Sequence, residues 1–224
     1  MPRRYLSALI VFFAACITHV SGQVATGMPP FASLGGGPAD TINLANLNIH
    51  LTIPLVHKAG RGMPFTYDLS YDSSIWTPSG GSWQATINYG WRGVTEITTG
   101  YISYSSVSSI CPGTGVHDGR LTFRYFGFVY HDTFGTQHAF AGQAIDATDC
   151  PTDNSRDLNS TATDGSGFRL FFPGGGSANP QSLTSASGQV TIPPSGGGTT
   201  GAAHVTDANG NQISVDGSGI SATH

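Results

Sequence analysis

The chain has 224 residues, with 9 Lys and Arg against 13 Asp and Glu, and a formal net charge of −4 at pH 7. Charged residues make up only 10% of it, whereas soluble domains usually carry about 25%. Proteins that bind nucleic acids need clustered Lys and Arg, so this mildly acidic composition argues against a nucleic-acid partner. The chain is long enough to bury a core.

The N-terminus has the pattern of a secretory signal peptide. Two arginines precede an uncharged, mostly apolar run over residues 6–16, and small residues follow it. The run is shorter than the roughly 20 apolar residues of a membrane-spanning helix. We therefore predict a signal peptide over residues 1–22, cleavage between Gly22 and Gln23, and a secreted or cell-surface protein.

A lipid anchor is the competing prediction for the N-terminus. Cys16 ends the sequence Phe-Ala-Ala-Cys, which is similar to a lipoprotein box but has Phe where Leu is usual. If this box is used, Cys16 is acylated and the chain is held at a membrane. Simple secretion is the favoured interpretation, because the box is incomplete.

The composition after the signal favours strands. The chain contains 31 Gly and 13 Pro, which are unfavourable inside helices, while its Thr, Val, Ile, Tyr and Phe suit pleated strands. After the signal, no window combines helical spacing of apolar residues with freedom from Gly and Pro. We predict an all-β fold of antiparallel hairpins that form a sandwich-like or irregular β domain.

The predicted organisation follows the composition along the chain. Residues 23–46 are predicted to be a loop-like N-terminal extension, and residues 47–172 a β-rich domain. Residues 173–203 are rich in Gly, Ser, Thr and Pro, which predicts a linker-like region around a small strand at 189–192. Residues 204–224 are predicted to form a final hairpin.

Alternating residues predict individual strands within the β-rich domain. Residues 47–56 and 65–71 each place apolar side chains on one face, as half-buried strands do, and the turn between them predicts a hairpin. Pro54 argues that the first strand lies at an edge or ends there. The aromatic residues 121–130 are predicted to pair with residues 137–140.

A four-residue pattern, Asp-x-x-Gly, recurs at predicted turns. Its copies begin at Asp132, Asp164, Asp207 and Asp216. The Asp side chain can accept hydrogen bonds from backbone N–H groups ahead of it, and the Gly tolerates a positive φ. Each copy therefore predicts a hairpin turn. The spacing between copies is irregular, which argues against a strict solenoid repeat.

Three segments resemble large bacterial RHS/YD-repeat proteins. Residues 49–76, and the sequence Asn-Tyr-Gly-Trp-Arg-Gly at 88–93, resemble the leading segment of these proteins. Residues 205–213 look like a degenerate YD unit, in which Val-Thr stands where tyrosine is expected. The resemblance identifies residues 204–224 as a degenerate, apparently truncated YD-type hairpin that follows the Gly/Ser-rich tail.

The resemblance implies a structural and interaction role. Members of this family are secreted or surface proteins with many tandem β-hairpins. By this resemblance, the chain is expected to be a non-catalytic N-terminal segment, or a truncated copy, of such a protein. Its expected partner is a downstream YD-repeat array or another surface component.

Two cysteines follow the signal. Cys111 and Cys150 each precede a proline, and an even number of cysteines in an exported chain predicts a disulfide. Two separate thiols are the alternative. Metal binding by these cysteines is disfavoured, because the sequence has no Cys-x-x-Cys pair.

The sequence contains no motif for a nucleophile elbow, a zinc protease, a P-loop or a dinucleotide site. We therefore predict no catalytic residue, no metal site, no cofactor and no enzyme activity. A hydrolase that uses Asp68 and Asp72 is the least favoured alternative, since these residues would lie about 13 Å apart on a straight strand. Asp207, Asn209 and Asn211 carry side-chain oxygens at alternate positions, as an EF-hand calcium loop does. The Gly and Glu that an EF-hand loop needs further along are missing here, so a plain turn is favoured.

The histidines also fail to suggest a metal site. His50 and His57 are separated by an odd number of positions, so on one flat strand they would face opposite sides. Three tryptophans, Trp76, Trp83 and Trp91, support two interpretations. Packing into a β core is favoured for such large rings. Exposed rings would instead form a sugar-stacking surface, which would make the chain a carbohydrate-binding or adhesive β module.

Overall fold

The computed structural model describes residues 34–44, 47–59, 63–73, 76–79, 81–85, 90–92, 98–111, 120–150, 154–175 and 181–223. Within these ranges the protein consists of antiparallel β-strands joined by turns and a three-residue 3₁₀ helix at Ser195–Gly197, which confirms the predicted all-β class. In this part of the chain, no helix has the length and apolar content needed to cross a bilayer.

The first sheet has five strands in the order β1-β2-β3-β4-β7. Their bounds are β1 Leu34–Gly36, β2 Asp40–Asn43, β3 Ile49–Lys58, β4 Phe65–Asp72 and β7 Gly90–Arg92. β3 and β4 form the predicted hairpin, with His50 opposite Asp72 at one end and Lys58 opposite Phe65 at the other. Between them and β7 in the chain, β5 (Trp76–Ser79) and β6 (Ser82–Ala85) form a separate hairpin.

Pro54 lies inside β3, which continues beyond it. β2 pairs with β3 only as far as Leu51, so among the described residues Pro54 faces no partner strand on that side. An edge position of this kind does not need the N–H that proline lacks. The predicted edge is correct, but β3 does not end at Pro54. The register instead shifts between Pro54 and Val56, as it does at a β-bulge.

The first sheet buries polar side chains at the end where β3 begins and β4 ends. His50, Ser70 and Asp72 are between 2% and 4% exposed, whereas Ile49 and Ile53 on the opposite face of β3 are 40% and 42% exposed. Period-two alternation predicts that the apolar face is the buried one. That expectation is wrong for β3, because burial depends on which neighbours cover a face and not on alternation alone.

The rest of the described chain is a meander, in which each strand pairs with the next. Its strands are β8 Tyr101–Ile110, β9 Leu121–His131, β10 Gln137–Asp146, β11 Leu158–Thr161, β12 Arg169–Phe172, β13 Ser182–Thr184, β14 Val190–Ile192, β15 Ala203–Thr206, β16 Gln212–Asp216 and β17 Gly219–Thr223. β8–β10 form a three-stranded sheet and β11–β17 a seven-stranded one. Bridges between Phe140 and Ala162, and between Ile145 and Arg156, join the two sheets.

The hydrophobic core lies inside the meander. Its buried members come from β8–β13 and are Ile102, Phe128, Tyr130, Phe140, Ala144, Leu158, Ala162, Leu170, Phe172 and Leu183. Burying each large apolar side chain contributes about 1.5–3 kcal/mol. Gly127, with a φ of 66°, lies in β9 where the register with β8 shifts, and such a bulge bends a strand. Side chains of both sheets share this one core.

Two segments differ from the predicted organisation. β1 and β2 lie in the segment predicted to be a loop-like extension. β13 and β14 lie in the seven-stranded sheet, within the segment predicted to be linker-like. β14 lies where the small strand was predicted, at residues 189–192, but β13 was not predicted. Gly174 shows why composition was misleading there, because a Cβ at this position would collide with the backbones of Arg156 and Ile145. Glycine at this point permits close packing of backbones.

Candidate functional site

A group of ionisable side chains surrounds His138 on β10. Its Nδ1 lies 2.6 Å from an oxygen of Asp164, and its Nε2 lies 3.4 Å from an oxygen of Asp132. The His138 side chain is only 4% exposed, and its ring packs against those of Phe168 and Tyr130. With a carboxylate at each ring nitrogen, both nitrogens donate hydrogen bonds when the ring is protonated.

The two carboxylates favour the charged imidazole. Burial acts to lower the pKa of His138, but the hydrogen bonds to Asp132 and Asp164 and their negative charges outweigh burial and raise that pKa. Burial likewise acts against ionisation of Asp164, and the hydrogen bonds from Ser166 and His138 lower its pKa overall. Asp132 and Asp164 begin the turns after β9 and β11, so the ion-paired histidine ties two hairpins together.

A cavity of about 450 Å³ lies beside this cluster. Its lining includes Tyr130, Asp132 and Phe168 of the meander and Phe65 at the start of β4. The Tyr130 hydroxyl donates a hydrogen bond to the carbonyl oxygen of Thr99 at 2.9 Å. Burial, and then the charge of Asp132, raise the pKa of Tyr130. Tyr130 is therefore a hydrogen-bond donor and not a general base.

A second buried polar group lies where β3 begins and β4 ends. Asp72 Oδ1 accepts a hydrogen bond from Asn48 at 3.1 Å and lies 3.2 Å from His50 Nδ1. Ser73 donates its hydroxyl to Asn48 Oδ1 at 3.0 Å and accepts the N–H of Ile49 at 2.8 Å. A serine nucleophile must pass its proton to an adjacent base. The Ser73 hydroxyl is directed to an amide oxygen, so this group forms a structural network.

Asp68 and Asp72 share the polar face of β4, as predicted from their spacing. Asp72 is 2% exposed and is engaged by Asn48 and His50. Asp68 Oδ1 is buried and has no hydrogen-bond partner among the described residues. The contacts of Asp72 assign it to the structural network described above, which gives the hydrolase alternative no support.

The predicted cysteine pair is bonded in the structure. Cys111 follows β8 and Cys150 follows β10, and their Cα atoms lie 5.5 Å apart. Both are buried, in a small cluster with Ile145 and Ala147. The hydroxyl of Thr122 lies 2.8 Å from the sulfur of Cys150. The disulfide therefore fastens the two outer strands of the three-stranded sheet at one end.

The Asp-x-x-Gly turns have the predicted hydrogen bonds. Asp132 accepts the backbone N–H groups two and four residues ahead at 2.9 and 2.7 Å, and Asp207 does the same at 2.8 and 2.9 Å. Gly135 and Gly210 have φ values of 80° and 85°. Ser185 replaces Asp in the turn between β13 and β14, where its Oγ accepts the N–H four residues ahead at 3.1 Å. The same turn chemistry thus recurs along the meander.

The metal-binding alternatives gain no support from the described residues. No group of three or more His, Cys, Asp or Glu in these ranges is arranged to hold a metal ion. Asp207 uses its second oxygen to accept the side-chain amide of Asn211 at 2.7 Å, as the plain-turn interpretation predicts. His50 and His57 pair with β4 residues of the same face because of the bulge after Pro54. β3 is not a flat strand between these residues, so the spacing argument for opposite faces does not apply to this pair.

The tryptophans are not core residues where the structure describes them. Trp83 and Trp91 are 66% and 55% exposed, so the favoured core prediction is wrong for both. The Trp91 ring contacts the Tyr71 ring at a centroid distance of 5.2 Å. The side chain of Trp76 lies outside the described part of the structure, although its backbone pairs with Ala85. Exposed rings agree with the alternative in which they form a binding surface.

The final strand, β17, has one open edge. It pairs with β16 along its length, and no described residue pairs with its other side. Ile220 and Ala222 share a face with the buried Val215 and Ile213 of β16. An unpaired edge presents free N–H and C=O groups and favours pairing with another strand. A further strand would extend both the ladder and the apolar inner face.

Several predicted N-terminal features lie outside the described residues. They are the signal peptide, the lipoprotein-type Cys16 and the cleavage site between Gly22 and Gln23. Comparisons with protein-family models, curated proteins and solved structures gave no match to this chain. The resemblance to RHS/YD-repeat proteins therefore rests on sequence motifs alone.

Proposed function

We propose that this protein is an exported, non-catalytic scaffold segment, related to RHS/YD-repeat proteins, onto which a further array of β-hairpins is built. The meander is the observation that carries the proposal, because its strands pair in chain order and its turns repeat one chemistry. In such linear arrangements each unit is stabilised mainly by its neighbours. The open edge of β17 is the surface on which the next hairpin would pair.

The side chains of the last two strands support this direction of growth. Val215 and Ile213 on β16 are 1% and 7% exposed, since they have a strand on each side. Ile220 on β17 is only half-buried and Ala222 is exposed. β17 covers Ile213 and Val215, and a following strand would cover Ile220 and Ala222 in the same way. Burial of these two apolar side chains would then stabilise the sheet.

The test extends the chain with a second copy of residues 203–223 and follows backbone hydrogen exchange. The amides of β17 should become more protected, because a paired strand opens less often than an edge strand. The control chain carries the same added residues in scrambled order. If β17 exchanges equally fast in both extended chains, strand addition at this edge is contradicted.

Export is tested separately from strand addition. N-terminal sequencing of the protein from the medium or cell surface should begin at Gln23, since the preceding residues fit the exit of a signal peptide. An acylated Cys16 would establish the membrane-anchored alternative. An uncleaved chain that starts at Met1 and stays inside the cell would contradict both forms of export.

A second candidate function is a carbohydrate-binding or adhesive module, which the exposure of Trp83 and Trp91 favours. Stacking on one aromatic ring contributes about 1 kcal/mol, so either Trp→Ala variant should weaken glycan binding about fivefold. A glycan array identifies the ligand, and titration of the variants measures the loss. Phe134→Ala is a matched control, because this ring is 52% exposed but lies in a turn of the meander. Loss of binding only in the control would contradict this candidate.

A further inference from the structure

A second cavity, of about 410 Å³, lies within the meander, and its volume is in the range of small-molecule sites. Three aromatic rings are part of its lining. The ring centroids lie 5.6 Å apart for Tyr104 and Tyr125, 4.9 Å for Tyr104 and Phe172, and 5.4 Å for Tyr125 and Phe172. Both tyrosines are half-buried. The three rings are therefore in mutual contact, with interplanar angles of 88°, 73° and 49° in the same order, and this aromatic wall is still partly open to solvent.

The cavity also holds one carboxylate. Asp146, at the end of β10, uses Oδ1 to accept the backbone N–H of Thr148 at 3.1 Å and the Thr148 hydroxyl at 2.7 Å. These two bonds fix the carboxylate and leave Oδ2 with no hydrogen-bond partner among the described residues. None of the described residues that line the cavity is a Lys, Arg or His. The negative charge is therefore not balanced within this lining.

Gly175 shows how closely the chain packs around this carboxylate. Its φ is 80°, and a Cβ there would collide with the Asp146 carboxylate and approach the hydroxyl of Thr148. The pKa of Tyr125 in the aromatic wall is raised, first by burial and then by the negative charge of Asp146. A fixed negative charge and aromatic rings thus border one space.

We propose that this cavity binds a small organic cation, with an ammonium or quaternary ammonium group held against the rings of Tyr104, Tyr125 and Phe172 and balanced by Asp146. Aromatic faces carry partial negative charge and attract cations within about 6 Å. A nearby carboxylate strengthens this attraction where water is partly excluded. The remaining lining includes Pro173, Ile192 and Pro193, which suits the apolar methyl groups of a quaternary ammonium ion.

The direct test compares choline with its neutral isostere 3,3-dimethylbutan-1-ol, each titrated into the full chain and followed by backbone NMR. The amides of Gly175 and Gly196, which line the cavity, should shift with choline. The isostere has the same shape without the charge, so it should bind at least about tenfold more weakly, a difference of about 1.4 kcal/mol. This comparison uses the unmodified protein and does not depend on the folding of a variant.

Variants then locate the charge. Asp146→Asn keeps the shape and the ability to accept bonds from Thr148, and it should weaken choline binding about tenfold while leaving the isostere unaffected. Asp216→Asn is the matched control, because Asp216 accepts the N–H and hydroxyl of Ser218 at 2.8 and 2.5 Å without lining the cavity. It should leave choline binding unchanged.

Three results would overturn the proposal. They are equal binding of choline and the isostere, unchanged choline binding in folded Asp146→Asn, and no choline binding tighter than about 10 mM. Preferential binding of a neutral monosaccharide such as glucose at the same amides would also reject the cation and would indicate a sugar site. None of these results bears on strand addition at β17, which is measured on a different surface.

Discussion

Replacing His138 with Phe is expected to remove about 3 kcal/mol of stability in weakly acidic solution. Removing one partner from a buried ion pair costs about 3–5 kcal/mol. The Asp132 and Asp164 side chains are 17% and 21% exposed, so water screens part of the charge left behind, and the lower end applies. Phe replaces the ring that packs against Phe168 and Tyr130, so the loss of packing is small.

This cost should depend on pH with a defined sign. Because folding raises the pKa of His138 above its ordinary value of 6.5, its contribution is complete below that pH and is lost as pH rises through the folded pKa. Because folding lowers the pKa of Asp164 below its ordinary value of 3.8, its contribution is present above that pH and is lost as pH falls through the folded pKa. The cluster therefore stabilises most between these two ordinary values.

The assay is urea unfolding followed by circular dichroism, at about pH 5 and about pH 9. The difference in unfolding free energy between the wild type and His138→Phe should be larger at the lower pH. Adding Asp164→Asn to the Phe variant should recover part of the loss, because one unpaired carboxylate is removed. A difference that is equal at both pH values, or below about 1 kcal/mol at the lower one, would refute the ion-pair reasoning.

Three further substitutions, one of them with a matched control, test other parts of the structure. Cys111→Ser should lower the free energy of unfolding by about 4 kcal/mol, because the bond to Cys150 spans a sequence separation of 39 residues. Two free thiols in peptide maps of the wild type would contradict this. Gly210→Ala should lower the free energy of unfolding by about 1–2 kcal/mol in a thermal melt, because its φ of 85° is left-handed. A Cβ at Gly210 or at Gly217 meets no neighbour, but Gly217 has no left-handed φ, so the control Gly217→Ala should be neutral. Trp91→Ala should cost less than about 1 kcal/mol, since the ring is 55% exposed, and a loss of several kcal/mol would restore the core interpretation.

Local features of the fold were predictable from the sequence. The pairing of β9 with β10, and the turns at Asp132 and Asp207, depend on short-range patterns of alternation and turn chemistry. The Ser185 turn was missed because Ser replaces Asp at its first position. β14 matches the small strand predicted at residues 189–192. β13 was hidden by a Gly- and Ser-rich composition, in which glycines such as Gly174 serve close packing.

Features that depend on distant neighbours were not predictable. Alternation in β3 shows that two faces differ, but which face is buried depends on what covers it, and here His50 and Asp72 lie on the buried side. The His138 cluster had a partial signal, because Asp132 lies just before the same hairpin turn. Asp164 comes from the next hairpin, and its approach depends on how the two sheets pack against each other.

The neighbour-to-neighbour pairing of the meander has a consequence for how the chain acquires its fold. Local pairing requires only short loop closures, which favours fast folding, and a single hairpin forms in about 1–10 μs. A chain that emerges N-terminus first can therefore complete each hairpin before the next one arrives. The disulfide is different, because Cys111 must wait until Cys150 has emerged, 39 residues later. The disulfide can therefore form once β8, β9 and β10 have paired, before β12 and β13 add their side chains to the core.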